Sequence, residues 1–173
     1  MSSATSRYSL WLEPGGQAAD ALQVVIDRLA QAHGGPRFWP HVTLFGSIES
    51  LEADAVREAA QFAASLAPFT VYLDDLGTGE TFFQSVFATV RSTPELLAAR
   101  AAAYRVFPDV PFVPFMPHLS LLYGHPSDDT KRAIIAQLQG TLPASFTARI
   151  LTVNGSGPDV AAWTYPLRAE LAG

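Results

Sequence analysis

Apolar residues along the chain follow two rhythms. Short runs rich in aromatic and β-branched residues predict strands over 8–12 (YSLWL), 40–45, 69–73, 82–90, 117–123, 146–153 and 163–171. Between them lie stretches of helical period, with Ala21, Val24, Val25 and Leu29 on one predicted face and Leu51, Ala55, Ala59, Phe62 and Leu66 on another. They predict helices over 17–32, 49–66, 95–107 and 128–138. Gly34-Gly35-Pro36 ends the first helix, Pro68 closes the second and Pro94 opens the third, while the Asp-rich start of the fourth suits the positive end of its dipole. A proline-spaced segment, 108–117, leads into the strand at 117–123.

This order of elements repeats. Pro40-His41 opens one strand and Pro117-His118 opens another 77 residues later, and the Phe-Thr pair beginning at Phe69 recurs 77 residues later at Phe146. The matching offsets predict a degenerate internal duplication of about 77 residues, housed in a single domain over 1–173. A pseudo-twofold between the copies would set the two motif strands against each other.

Each motif strand carries chemistry on one face. Side chains alternate along a strand, so His41 and Thr43 share a face and leave Val42 and Leu44 to the other; His118 and Ser120 do the same against Leu119 and Leu121. Two such faces in one cleft bring together two imidazoles and two hydroxyls. That set suits in-line displacement at phosphorus, with one histidine taking a proton from water and the other protonating the departing oxygen. Thr43 and Ser120 would donate to the non-bridging oxygens, where charge accumulates. His118 is the expected base and His41 the expected acid, and the near symmetry of the two motifs leaves the reverse open. A zinc site is the competing reading of paired histidines, but hydroxyls rather than carboxylates stand beside them and no HExxH occurs. A serine hydrolase would need a GxSxG turn, which is also missing.

Composition narrows the setting. With 49% hydrophobic and 16% charged residues the chain reads as an ordered globular protein. No apolar run is long enough to span a membrane, and the opening residues do not read as a secretory leader, so a soluble cytoplasmic protein is expected. Zero cysteines remove disulfides, thiol nucleophiles and thiolate metal sites. A formal charge of −5 argues against a partner gripped through many phosphates, which leaves long nucleic acid unexpected and small anionic ligands open.

His41-Val42-Thr43-Leu44 and His118-Leu119-Ser120-Leu121 resemble the paired Hx[ST]h motifs of the two-histidine (2H) phosphoesterases, and YSLWL, FFQSVFATV and PHLSLLYG resemble the cyclic phosphodiesterase branch. The resemblance spans essentially the whole chain. It implies an α+β bilobal fold of two pseudo-symmetric antiparallel sheets with outer helices and a central cleft. It implies a metal-independent, cofactor-free hydrolase, acting as a monomer on ADP-ribose 1″,2″-cyclic phosphate and nucleoside 2′,3′-cyclic phosphates in nucleotide metabolism or RNA processing. The family carries its function at His41, His118, Thr43 and Ser120, and the branch adds a tyrosine that maps onto Tyr123. Strict alternation would turn Tyr123 away from His118, but Gly124 follows His118 by six residues where Gly46 follows His41 by five, so a bulge is expected at Leu122-Tyr123.

The 2′-5′ RNA ligase-like RNA cyclic phosphodiesterases share the paired motifs and typically carry an arginine soon after one of them, which neither motif has here; they remain the alternative within the superfamily. A non-catalytic nucleotide-binding module is the alternative of a different class. Trp11, Phe83 and Gln84 are candidate substrate-lining residues, since a ring at a cleft mouth can stack on a base. Trp163 is a weaker candidate of the same kind. Arg37, His33 and His125 are expected to serve structural or surface roles.

Overall fold

The computed structural model describes residues 5–173. Its elements run β1 (Ser6–Pro14), α1 (Gly16–His33), β2 (Val42–Ser50), α2 (Glu52–Ser65), β3 (Phe69–Thr78), β4 (Val86–Val90), α3 (Pro94–Val106), β5 (His118–Leu122), α4 (Asp128–Leu138), β6 (Ser145–Gly155) and β7 (Thr164–Glu170). Thr93 accepts a hydrogen bond from Leu96 N–H ahead of α3, with Pro94 behind it, and Ser127 accepts from Thr130 N–H ahead of α4. Both helices thus start where a cap satisfies otherwise unpaired donors.

Two expected elements differ. Residues 82–84 form a 3-10 turn, and the strand starts only at Val86. In this turn the Phe82 carbonyl accepts from Gly124 N–H and the Phe83 carbonyl from Ser120 Oγ. In α1 the buried stripe is Leu22, Ile26, Leu29 and Ala30, whereas Val24 is 66% exposed. That helix is apolar around most of its circumference, so period alone did not select the face that meets the sheet. In α2 the buried residues Ala55, Ala59 and Phe62 fall on the expected face.

The strands form one seven-stranded antiparallel sheet in the order β1-β2-β5-β4-β3-β6-β7, with β1 also bonded to β6, so that six of them close a ring. The two expected sheets are therefore halves of one hydrogen-bonded sheet. β6 is the reason: its eleven residues pair with β3 through Ser145–Ala148 and with β1 through Ala148–Gly155, crossing from one half to the other. One lobe comprises β1, β2, β6 and β7, the other β3, β4 and β5, and each borrows strands from both halves of the sequence. At the opposite junction β2 and β5 touch through a single pair, Val42 with Leu119.

Elements β1, α1, β2, α2 and β3 have counterparts in β4, α3, β5, α4 and β6 that start between 76 and 80 residues later. Exchanging the two sets maps the ring onto itself: β1–β2 becomes β4–β5, β3–β4 becomes β6–β1, and β2–β5 and β3–β6 map onto themselves. β7 alone has no counterpart. Apolar residues of both motif strands, Val42, Leu44, Leu119 and Leu121, are fully buried beneath the helices, which holds the opposite face of each strand toward the cleft.

Candidate active site

The single β2–β5 pair fixes the geometry of the motifs. Because Val42 faces Leu119 in antiparallel register, His41 lies across from Ser120 and Thr43 across from His118. Each imidazole thus neighbours the hydroxyl of the other motif. All four side chains line one cavity of about 580 Å³, which Tyr123, Trp11, Phe83 and Gln84 also line. The eight residues expected from the sequence therefore share one space. Trp163 lines it as well; Arg37, His33 and His125 do not.

Both rings are held alike. His41 Nδ1 donates to the Trp39 carbonyl at 2.7 Å and His118 Nδ1 donates to the Met116 carbonyl at 3.0 Å. A carbonyl can only accept, so each Nδ1 carries the proton and each Nε2 of a neutral ring is left unprotonated. The loops that present these carbonyls are tied to the outer helices in matching ways. Gln23 of α1 donates to the Phe38 carbonyl, and Arg100 of α3 donates to the Val113 carbonyl.

The environments of the two rings differ. The Trp11 indole lies flat on His41, centroids 3.5 Å apart and planes 5° from parallel, whereas Phe87, in the equivalent place on β4, meets His118 edge-on at 5.3 Å. His41 is buried and His118 half-buried. Burial pushes His41 down to about 4, the Trp39 hydrogen bond opposes this, and positive charge on His118 adds to the lowering. His41 is consequently neutral at pH 7. Gln84 stands 3.5 Å from His118 Nε2 by its side-chain amide.

Both motif strands bulge directly after the hydroxyl. Adjacent residues Leu10 and Trp11 pair with Phe45 and Thr43, leaving Leu44 extra; adjacent Val86 and Phe87 pair with Leu122 and Ser120, leaving Leu121 extra. The bulge expected at Leu122-Tyr123 thus lies one residue earlier and has a twin in the first motif. It resets the alternation, so Leu122 turns from the cleft and Tyr123 returns to it. Gly46 occupies the equivalent place in the first copy, which leaves the site with a single phenol. Burial raises the Tyr123 phenol well above its ordinary value, partly offset by the Ser120 hydroxyl, so it remains a donor at any physiological pH. The Ser120 hydroxyl donates to the Phe83 carbonyl at 2.9 Å. Thr43 has no protein partner for its hydroxyl among the described residues.

Arg100 was not singled out from the sequence. The residue is 8% exposed, and its guanidinium donates to the Leu44 carbonyl at 2.7 Å and lies 4.3 Å above the Phe115 ring. It therefore holds the bulge of β2 against the loop that enters β5. Its signal was a cation on the apolar face of an Ala/Leu helix, between Leu96 and Ala103. Among the described residues no group of three or more His, Cys, Asp or Glu side chains could hold a metal ion, and no helix is long and apolar enough to cross a membrane.

A family model described as the 2'-5' RNA ligase superfamily matches residues 10–154. The cyclic phosphodiesterase of Arabidopsis thaliana is 34% identical over 126 residues, which cover 72% of this chain and 69% of that protein. Among solved structures, TT0787 of Thermus thermophilus has a TM-score of 0.65 at 18% identity, covering 96% of this chain and 98% of its own. E. coli LigT in apo form has a TM-score of 0.60 at 18% identity, covering 99% of this chain and 100% of its own. Both share the fold. With two Hx[ST]h strands facing one cavity and a family match over most of its length, the chain belongs to the 2'-5' RNA ligase superfamily of two-histidine phosphoesterases.

Proposed function

We propose that this protein is a cyclic phosphodiesterase that opens the cyclic phosphate of small nucleotides, ADP-ribose 1″,2″-cyclic phosphate or nucleoside 2′,3′-cyclic phosphates, by metal-independent acid–base catalysis. The observation that carries the reading is the pair of imidazoles, each with Nδ1 pinned and Nε2 available, on either side of the Val42–Leu119 junction. The Arabidopsis relative is named a cyclic phosphodiesterase, and LigT, which shares the fold, has been solved with 3'-AMP bound.

In this reading neutral His41 accepts a proton from the attacking water, whose oxygen forms the new bond to phosphorus. Protonated His118 gives its proton to the ribose oxygen that leaves on the far side, so the product is a phosphomonoester and each histidine ends in the other's starting state. The roles are the reverse of those expected from the sequence, because burial under Trp11 keeps His41 uncharged. Thr43 and Tyr123 donate to the non-bridging oxygens as charge gathers there, and Ser120 can do so once its proton leaves the Phe83 carbonyl. The protein acts in the cytoplasm as a monomer, without cofactor. An RNA end bearing a cyclic phosphate would use the same two histidines, but the net charge of −5 favours the small nucleotide.

Hydrolysis of adenosine 2′,3′-cyclic phosphate and ADP-ribose 1″,2″-cyclic phosphate in the presence of a chelator tests the proposal. Turnover should persist, and His41→Ala and His118→Ala should each lower kcat by about a hundredfold or more while changing KM little. Tight nucleotide binding without turnover would instead make the protein a binding module.

A further inference from the structure

One buried side-chain donor in the wall of the catalytic cavity lacks a partner. Asn154 of β6 faces Ser9 of β1 across the antiparallel register, and both line the cavity. The Ser9 hydroxyl donates to Asn154 Oδ1 at 3.4 Å. Asn154 Nδ2 is buried and has no hydrogen-bond partner among the described residues. A buried donor left without an acceptor costs about 1–3 kcal/mol, and native proteins keep few of them. The Ser85 hydroxyl is in the same condition but does not line the cavity.

The place of this amide relative to the reaction is set by β1. Arg7, Ser9 and Trp11 alternate along one face of that strand, and all three line the cavity. Trp11 carries the His41 ring on its indole. Ser9 lies two residues further along, about 7 Å away, which is one sugar ring from the phosphorus held between the histidines. Trp163 stands 5.5 Å from Trp11 and gives that part of the cavity a second flat apolar wall. A carboxamide is uncharged, so it matches a ring nitrogen or carbonyl rather than a second phosphate.

We propose that Asn154, oriented by Ser9, is a specificity-determining residue that donates a hydrogen bond to the nucleobase on the ribose whose cyclic phosphate is opened. The inference rests on the cyclic phosphodiesterase reading and narrows it. ADP-ribose 1″,2″-cyclic phosphate carries no base on its reacting ribose, so nucleoside 2′,3′-cyclic phosphates become the favoured class. A site built to hydrogen-bond a group discriminates against analogues that lack it, because the buried partner is then left unpaired.

The test is steady-state kinetics with adenosine 2′,3′-cyclic phosphate and the base-free 1-O-methylribose 2,3-cyclic phosphate. Wild-type protein should show a KM about tenfold lower for the adenosine ester than for the base-free one. Asn154→Leu removes the amide, with its unpaired donor, at similar size. It should raise KM for the adenosine ester about tenfold and change that for the base-free ester far less. Ser9→Ala should shift the same ratio in the same direction by less. Equal KM values for both substrates in the wild type would overturn the inference without any variant, and so would equal losses on both substrates in Asn154→Leu. If the wild type opens neither ester, the cyclic phosphodiesterase reading itself fails; if it opens both with no dependence on the base, only the role of Asn154 fails.

Discussion

His41 and His118 occupy matching places in β2 and β5, yet Trp11 covers one with its face while Phe87 meets the other by its edge. The consequence reaches stability. An unfolded histidine takes up its proton near pH 6.5, whereas His41 in the folded protein does so only near 4. Between those values the unfolded chain binds more protons, so stability rises with pH through the window and is lost as pH falls through it. The burial of this one ring corresponds to roughly 3 kcal/mol lost between pH 6.5 and 4. Urea unfolding of wild type and His41→Asn between about pH 4.5 and 7 should show a clearly flatter pH dependence in the variant; parallel curves would mean that another group is responsible. The same value predicts that kcat/KM rises with pH through about 4, as His41 becomes able to accept a proton.

At the scale of elements, the bulges after Thr43 and Ser120 decide which side chains reach the cleft, and one glycine guards the second bulge. A Cβ on Gly35 would stand 2.6 Å from the Tyr123 carbonyl oxygen and 3.2 Å from Leu122 Cδ1. The first of these is backbone, so neither rotamer change nor side-chain bending relieves it. Gly35→Ala should cost about 1–3 kcal/mol in the unfolding free energy. Because the displaced residue is Tyr123, kcat/KM should also fall, while a distant destabilising change of equal size would leave it intact. Much at this scale was readable beforehand. Pro94 and the acidic start at Asp128 signal helix starts by local chemistry alone, whereas the extra residue counted between His118 and Gly124 did not mark the bulge, since Gly46 matches Tyr123 and both motif strands bulge. The bulge's twin at Leu44 was not readable, since HVTLF and HLSLL look like regular alternation until a neighbouring strand sets the register. The buried face of α1 was misplaced for the same reason: apolar residues ring that helix, and the sheet it packs on selects among them.

Across the whole molecule, the repeat and the lobe are different units. β3 comes from the first half of the sequence, yet its strand partners are β4 and β6 of the second, and β1 leans on β6 as well. We infer that the two halves descend from one duplicated unit whose copies exchange strands. Residues 5–80 made alone should therefore show no cooperative thermal transition, since β3 would lack every partner and β1 one of its two edges. A folded half with its own sharp transition would contradict this arrangement. The chain by itself determined the two motif strands, their spacing, the absence of thiol chemistry and the face that carries imidazole and hydroxyl, because alternation and residue type are local properties. Tertiary structure alone decided that the histidines are unequal, that Arg100 clamps the β2 bulge and that Asn154 keeps an unpaired donor. Those properties come from burial and from neighbours far apart in sequence, as with Ser9 and Asn154, 145 residues apart, and no local pattern records which partner will arrive.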